Sequence, residues 1–195
     1  MGYKPLDLLV MQPTSFCNLD CTYCYLPNRH IAKRMSYETV DAVFTDLATA
    51  PFLGQRLTVV WHAGEPLAAG LPFYFRVVDS SKQLEIRRCH VTHSIQTNAT
   101  LINDEWCEFF KSHNFRLGVS LDGPSFLHDT ARKTRAGKGT HAQVMRGVEC
   151  LQRHGINFYA LCVLTRKSLN HAEDIFEFFT SRGIERLCFN IEEVE

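Results

Sequence analysis

Cys17, Cys21 and Cys24 fall within eight residues, in the run Cys17-Asn-Leu-Asp-Cys21-Thr-Tyr-Cys24. Soft thiolates suit iron–sulfur clusters. Three of them can hold three corners of a cubane, and two gaps of unequal length let a short loop wrap those corners. The fourth iron then lacks a protein ligand and is open to the amino and carboxylate groups of a small molecule. A structural zinc site with His30 as fourth ligand is a competing reading. Zinc ligands usually come as a Cys-x-x-Cys pair with a second pair further on, and no second pair follows here. Unrelated packing cysteines are a third reading. A dithiol role for Cys21 and Cys24 alone leaves Cys17 unexplained.

Other polar groups stand at the ends of apolar runs. Trp61-His62-Ala63-Gly64-Glu65-Pro66-Leu67 holds small residues that let backbone come close to a ligand. There, strand-end carbonyls can accept hydrogen bonds from an ammonium group, and Glu65 can add charge or brace the loop. It is not a deaminase motif, because two residues separate His62 from Glu65 and no Pro-Cys-x-x-Cys follows. Gln96-Thr97-Asn98 and Ser120-Leu-Asp122-Gly-Pro124 each also suit a plain strand terminus. Arg135-Ala-Gly-Lys-Gly-Thr140 fails as a phosphate loop, since Gly139 separates the lysine from the threonine.

The elements that must position these groups are legible as periodicity. Apolar runs at 6–12, 57–62, 91–97, 116–121, 157–165 and 186–191 predict strands. Between them lie helical patterns. One carries Val40, Val43, Phe44 and Leu47, with Ser36 as N-cap. A less regular one spans 73–84. A third carries Trp106, Phe109 and Phe110, capped by Asn103. Val144, Val148 and Leu151 mark a fourth that stops at Gly155. Ile175, Phe178 and Phe179 mark a fifth, for which Asn170 and Glu173 suggest a capping box and Gly183 a stop. Strands alternating with helices predict a parallel sheet with crossover helices. Ligands gather outside the carboxyl ends of such strands, where the cysteine run, the 62–66 turn, Gln96–Asn98 and Ser120–Pro124 all fall.

The chain has 195 residues, 45% hydrophobic and 22% charged, with 21 basic and 21 acidic side chains. That composition is ordinary for a globular domain, and the even balance suggests neither a nucleic-acid nor a membrane partner. No apolar run approaches a membrane span, and the N-terminus shows no signal peptide, so a cytoplasmic location is expected. Of the five scattered cysteines, Cys107, Cys150, Cys162 and Cys188 lie in apolar patterns that suggest packing. Cys89 falls between elements and is expected to be exposed, and none forms a group suited to a second cluster.

Cys-x3-Cys-x2-Cys with an aromatic before the last cysteine resembles the radical S-adenosylmethionine (SAM) superfamily. The resemblance extends to QPTSFCNLDCTYCYLPNR, WHAGEPL, HSIQTNATLI, GVSLDGP and FNIEEVE, which look most like the cyclophane-forming radical SAM/SPASM peptide maturases of glycine-rich-repeat systems. It implies a partial parallel (β/α)6 TIM-like barrel of the radical SAM type over residues 1–195, truncated after the sixth strand. The SPASM extension would be absent, and the last strand would lack a covering helix. It implies a [4Fe–4S] cluster on Cys17, Cys21 and Cys24, and reductive cleavage of SAM to a 5′-deoxyadenosyl radical. By the same resemblance, Tyr23 lies near the adenine and Ala63, Gly64, Glu65 and Pro66 meet the methionine. Asn98, Ser120 and Asp122 are candidates for the ribose or carboxylate, and Arg132 or Arg146 for the carboxylate. The implied partners are a ribosomally made precursor peptide and an electron donor such as a flavodoxin or ferredoxin. The implied product is a cyclophane-type crosslink. Formylglycine formation, as in anaerobic sulfatase maturases, and an inactive or zinc-binding module are the alternatives.

Overall fold

The computed structural model describes residues 4–192; expectations touching residues 1–3 or 193–195, including the absence of a signal peptide and the last residues of the final strand, lie partly outside them. Among the described residues, six strands form one sheet in sequence order: β1 (Leu6–Met11), β2 (Leu53–Trp61), β3 (His90–Thr97), β4 (Arg116–Ser120), β5 (Phe158–Leu164) and β6 (Leu187–Ile191). Every neighbouring pair is parallel. The helices are α1 (Tyr37–Thr49), α2 (Leu71–Ser81), α3 (Gln83–Ile86), α4 (Asp104–His113), α5 (Ser125–Ala131), α6 (His141–Arg153) and α7 (Ala172–Thr180). Short 3-10 turns occupy Pro66–Ala69 and Arg166–Ser168. The sheet curls into an open half-barrel, and β1 and β6 do not pair with each other.

Register divides the sheet into two faces. Val59 pairs with His93, Trp61 with Ile95, Ile95 with Leu117, and Val119 with Ala160, so these buried side chains share the helix-covered face. They pack on Val40, Phe44, Phe73, Val77, Trp106, Phe110, Val144, Val148 and Phe179 from the helices. The opposite, concave face carries Gln96, Gly118 and Tyr159 in register. On the helix side of β6, Phe189 and Ile191 are 50% and 80% exposed.

Several expectations shift. β2 begins at Leu53, before the apolar run at Leu57, because Leu53 pairs with Leu6 and a polar stretch is held extended by the ladder. The 73–84 helix starts at Leu71, with a proline in its first turn, and breaks at Lys82. The Asn170–Glu173 capping box does not form. His171 holds the N-cap position of α7 and meets Asp174 at 2.7 Å, while the box is made by Thr165 and Ser168 one turn earlier. Asn103 and Ser36 do cap their helices, accepting from Trp106 N and Thr39 N. Helix α5 carries too short and mixed a pattern to be read from sequence. Cys89 is buried, not exposed, because α3 folds back so that Cys89 N donates to Leu84 O. Cys188 is exposed on the edge strand β6 rather than packed.

Candidate active site

The loop after β1 carries Cys17, Cys21 and Cys24, all free and half-buried. Its backbone is stitched down on several sides. Cys17 N donates to Arg29 O (2.8 Å), Asp20 N to Lys133 O (2.7 Å) and Thr22 N to Ala131 O (3.0 Å). The Arg29 guanidinium reaches back to Asp20 Oδ1, Cys24 O, Leu26 O and Cys21 O. Arg135 donates to Cys17 O (2.7 Å) and Arg29 O (2.6 Å). The loop is therefore held by backbone bonds to residues 29 and 131–133, by the Leu19–Thr134 bridge and by the two arginines. Cys17 Sγ already receives Leu19 N at 3.4 Å and Asn98 Nδ2 at 3.8 Å, the kind of N–H···S contact that tunes a cluster's potential.

The turn after β2 packs directly on this loop. Glu65 N donates to Phe16 O at 2.7 Å. Gly64 (φ +64°) has no room for a side chain, since a Cβ would stand 2.4 Å from Thr14 O and 2.6 Å from Phe16 O. Ala63 takes a left-handed conformation too (φ +72°), an unusual one for a residue with a Cβ. The Glu65 side chain is buried. Its Oε1 accepts from Leu67 N (3.0 Å) and Thr97 Oγ1 (2.6 Å), and its Oε2 from Asn98 N (2.8 Å). Burial pushes its carboxyl up to about 7, against the downward pull of those three donors. Of the two roles open from sequence, the bonds describe a brace between the ends of β2 and β3. Asn98 extends the brace, with its Nδ2 on Asn18 Oδ1 (2.8 Å) and its Oδ1 accepting from Thr100.

After β4, Asp122 anchors a second network. It accepts from Tyr23 Oη (2.5 Å), Arg132 Nε (2.9 Å), Arg132 NH2 (3.0 Å) and Val163 N (2.9 Å). Burial alone would raise its carboxyl, but the Arg132 guanidinium, Tyr23 and the Val163 amide outweigh it and hold the group below the usual range. Arg132 also lies over the Tyr23 ring at 5.4 Å, and both partners of the Asp122–Arg132 pair are buried. Tyr23 and Arg132 are thus tied to Asp122, and Arg146 is exposed on α6. On the concave face, Gln96 bridges Ser120 Oγ (3.0 Å) and Tyr159 Oη (3.0 Å). Gly118 makes room for this bridge, because a Cβ there would stand 2.1 Å from Gln96 Oε1.

The structure thus gathers Cys17, Cys21, Cys24, Tyr23, Ala63, Gly64, Glu65, Pro66, Asn98, Ser120, Asp122 and Arg132 at one end of the sheet, above β1 to β4. Sequence reasoning missed Arg29, Arg135 and Tyr159. Arg29 follows the cysteine run by five residues, a signal that was in view; the other two are distant in sequence and offered none.

The donor set fits a cubane: three free, half-buried thiols on one loop are the soft ligands that iron–sulfur clusters take. Burial raises the Cys17 thiol to about 12, with Glu65 adding to it, so a bound cation is what would favour its thiolate.

Comparison with known proteins agrees. The family model of the radical SAM superfamily matches residues 11–179. An uncharacterised protein of Synechocystis is 43% identical over 198 aligned residues, covering 100% of this chain and 50% of that protein. A serine-type anaerobic sulfatase-maturating enzyme of Bacteroides thetaiotaomicron is 36% identical, covering 90% of this chain and 44% of its own. Among solved structures, native anSMEcpe with bound AdoMet and Cp18Cys peptide superposes with a TM-score of 0.89 at 28% identity, over 96% of this chain and 51% of that one. The chain therefore spans about half the length of the curated relatives it matches.

Proposed function

The chain belongs to the radical SAM superfamily, and on that premise we propose that it forms the cluster- and SAM-binding part of an enzyme that abstracts hydrogen from a peptide side chain. The observation that carries the reading is the cysteine loop, whose Cys17 is bonded directly to the brace made by Glu65 and Asn98. Cys17, Cys21 and Cys24 would hold the cluster, which when bound and reduced would supply the electron for cleavage of SAM. The left-handed turn at Ala63 and Gly64 frees strand-end carbonyls to receive the methionine ammonium. Ser120, half-buried beside Gln96, would be a contact for the ribose. Asp122 and Arg132 hold Tyr23, which would meet the adenine, and so act as positioning residues.

The substrate is a ribosomally made peptide, and electrons come from a flavodoxin or ferredoxin. Two outcomes of hydrogen abstraction are in view. The motif resemblance supports a cyclophane-type crosslink. The 36% identity to a serine-type sulfatase-maturating enzyme favours oxidation of a side chain to formylglycine. Both a crosslink and serine oxidation remove two hydrogens, so mass alone does not separate them. The test is co-expression with candidate peptides, followed by mass spectrometry and reaction with a hydrazide. A hydrazide adduct identifies the aldehyde, and a two-hydrogen loss with no adduct identifies the crosslink. No mass change with either peptide class would refute the peptide substrate.

A further inference from the structure

Away from the rim, α4 and α6 bring a second set of sulfur and nitrogen donors together. Asp104 and Cys107 are three apart on α4. Cys150 on α6 and His154 just beyond it are four apart, so each pair shares one helix face. Gly147 allows the close approach, since a Cβ there would stand 2.2 Å from Ala99 O, just before α4. Cys107 Sγ and Cys150 Sγ lie 3.5 Å apart. Asp104 Oδ1 lies 3.4 Å from Cys150 Sγ and 2.7 Å from His154 Nε2. The Cys107, Cys150 and His154 ligand atoms all fall within 4.8 Å of one another.

We propose that Cys107, Cys150 and His154 ligate a zinc-type divalent cation that pins α4 to α6, separate from the cluster, with Asp104 beside them as the oxygen donor at hand for the fourth position. Bond lengths of about 2.3 Å to sulfur and 2.0–2.1 Å to nitrogen imply ligand–ligand edges of roughly 3.3–3.8 Å. The Cys107–Cys150 and Cys150–Asp104 separations of 3.5 and 3.4 Å fall in this range, and Cys107, Cys150 and His154 all lie within 4.8 Å of one another, while the 2.7 Å Asp104–His154 contact is a hydrogen bond that must open for both groups to reach one ion. A disulfide would use the two thiols but would give no role to His154 or Asp104. Charge also balances: two thiolates and a carboxylate offset the dication, and Arg153, 2.7 Å from Asp104 and 3.4 Å from Cys150 Sγ, neutralises the remainder. The thiols are buried while the Asp104 side chain is 65% exposed, so the carboxylate and the half-buried His154 form the entrance. The sequence hid this group because its halves are 43 residues apart.

The site is independent of the proposed reaction, and its test does not use activity. Cluster-loaded protein, purified anaerobically and stripped with a mild chelator, is titrated with zinc against a chromophoric competitor and with cobalt(II) for its visible spectrum. A chain whose three cluster cysteines are replaced (C17A, C21A and C24A together) is titrated in parallel. Both should bind a single zinc and give the intense bands of tetrahedral thiolate-bound cobalt. Cys150→Ser should abolish the bands. His154→Ala, changed near the surface, should keep fold and iron content. It should weaken zinc by more than the roughly 10- to 100-fold that loss of an outer-shell partner costs. Zinc binding indifferent to His154→Ala, no zinc in either protein, or a Cys107–Cys150 disulfide in the anaerobic sample would each overturn the assignment.

Discussion

The Glu65 carboxylate receives the Asn98 backbone amide at 2.8 Å, and the Asn98 side chain in turn touches Cys17 Sγ at 3.8 Å. Two residues thus connect the ends of β2 and β3 to the loop that carries the thiols.

Breaking that connection should loosen the loop as well as the fold. Glu65→Ala leaves three buried donors without their acceptor and should cost on the order of 2–4 kcal/mol. Iron retention after reconstitution should fall with it. Glu65→Gln preserves shape and should cost less. Urea denaturation and iron analysis of both variants check this; a Glu65→Ala chain of unchanged stability would remove the brace from the account.

The Asp122–Arg132 pair should behave as one unit. Arg132→Met leaves a buried carboxylate unpaired, and such losses cost about 3–5 kcal/mol. Adding Asp122→Asn should restore part of the loss, because it removes the stranded charge. A double-mutant cycle measures the coupling, and strictly additive costs would show that the pair does not matter.

Much of this arrangement was legible in the sequence. The cysteine spacing, the six strands and the four rim segments follow from residue type and period, and the Asn103 and Ser36 caps from local chemistry. What was not legible depends on contacts between distant segments. Nothing in the run around Arg135 announces that it bonds to Cys17 O, and nothing around Gly118 announces the Gln96–Tyr159 bridge. The Glu65 side chain was legible as a site residue, but its three partners come from β3 and its own turn and only the fold assembles them. Cys107 and Cys150 each looked like packing because their pairing crosses two helices.

Acid should weaken the fold through buried histidines. Burial, with His113 adding to it, pushes His93 down to about 4, where it stays neutral and accepts from Trp61 Nε1. Between about 4 and the ordinary 6.5, the unfolded chain binds a proton that the folded chain does not, so stability rises with pH across that window. The contribution is complete above about 6.5, is lost as pH falls towards 4, and amounts to roughly 3 kcal/mol. Urea midpoints measured from pH 7.5 to 4 should decline, and His93→Gln, which keeps an acceptor for Trp61, should flatten the decline. An equally steep decline in the variant would assign the acid sensitivity elsewhere.

The proposed hold of Cys17, Cys21 and Cys24 on a cluster that cleaves SAM is tested by 5′-deoxyadenosine production from the anaerobically reconstituted, chemically reduced chain, measured beside Cys21→Ala and the buried control Cys162→Ala. The parent and Cys162→Ala should bind iron and release deoxyadenosine from SAM, while Cys21→Ala should do neither at a detectable rate. Equal deoxyadenosine from Cys21→Ala and the parent, or none from a parent that has taken up its iron, would contradict the account.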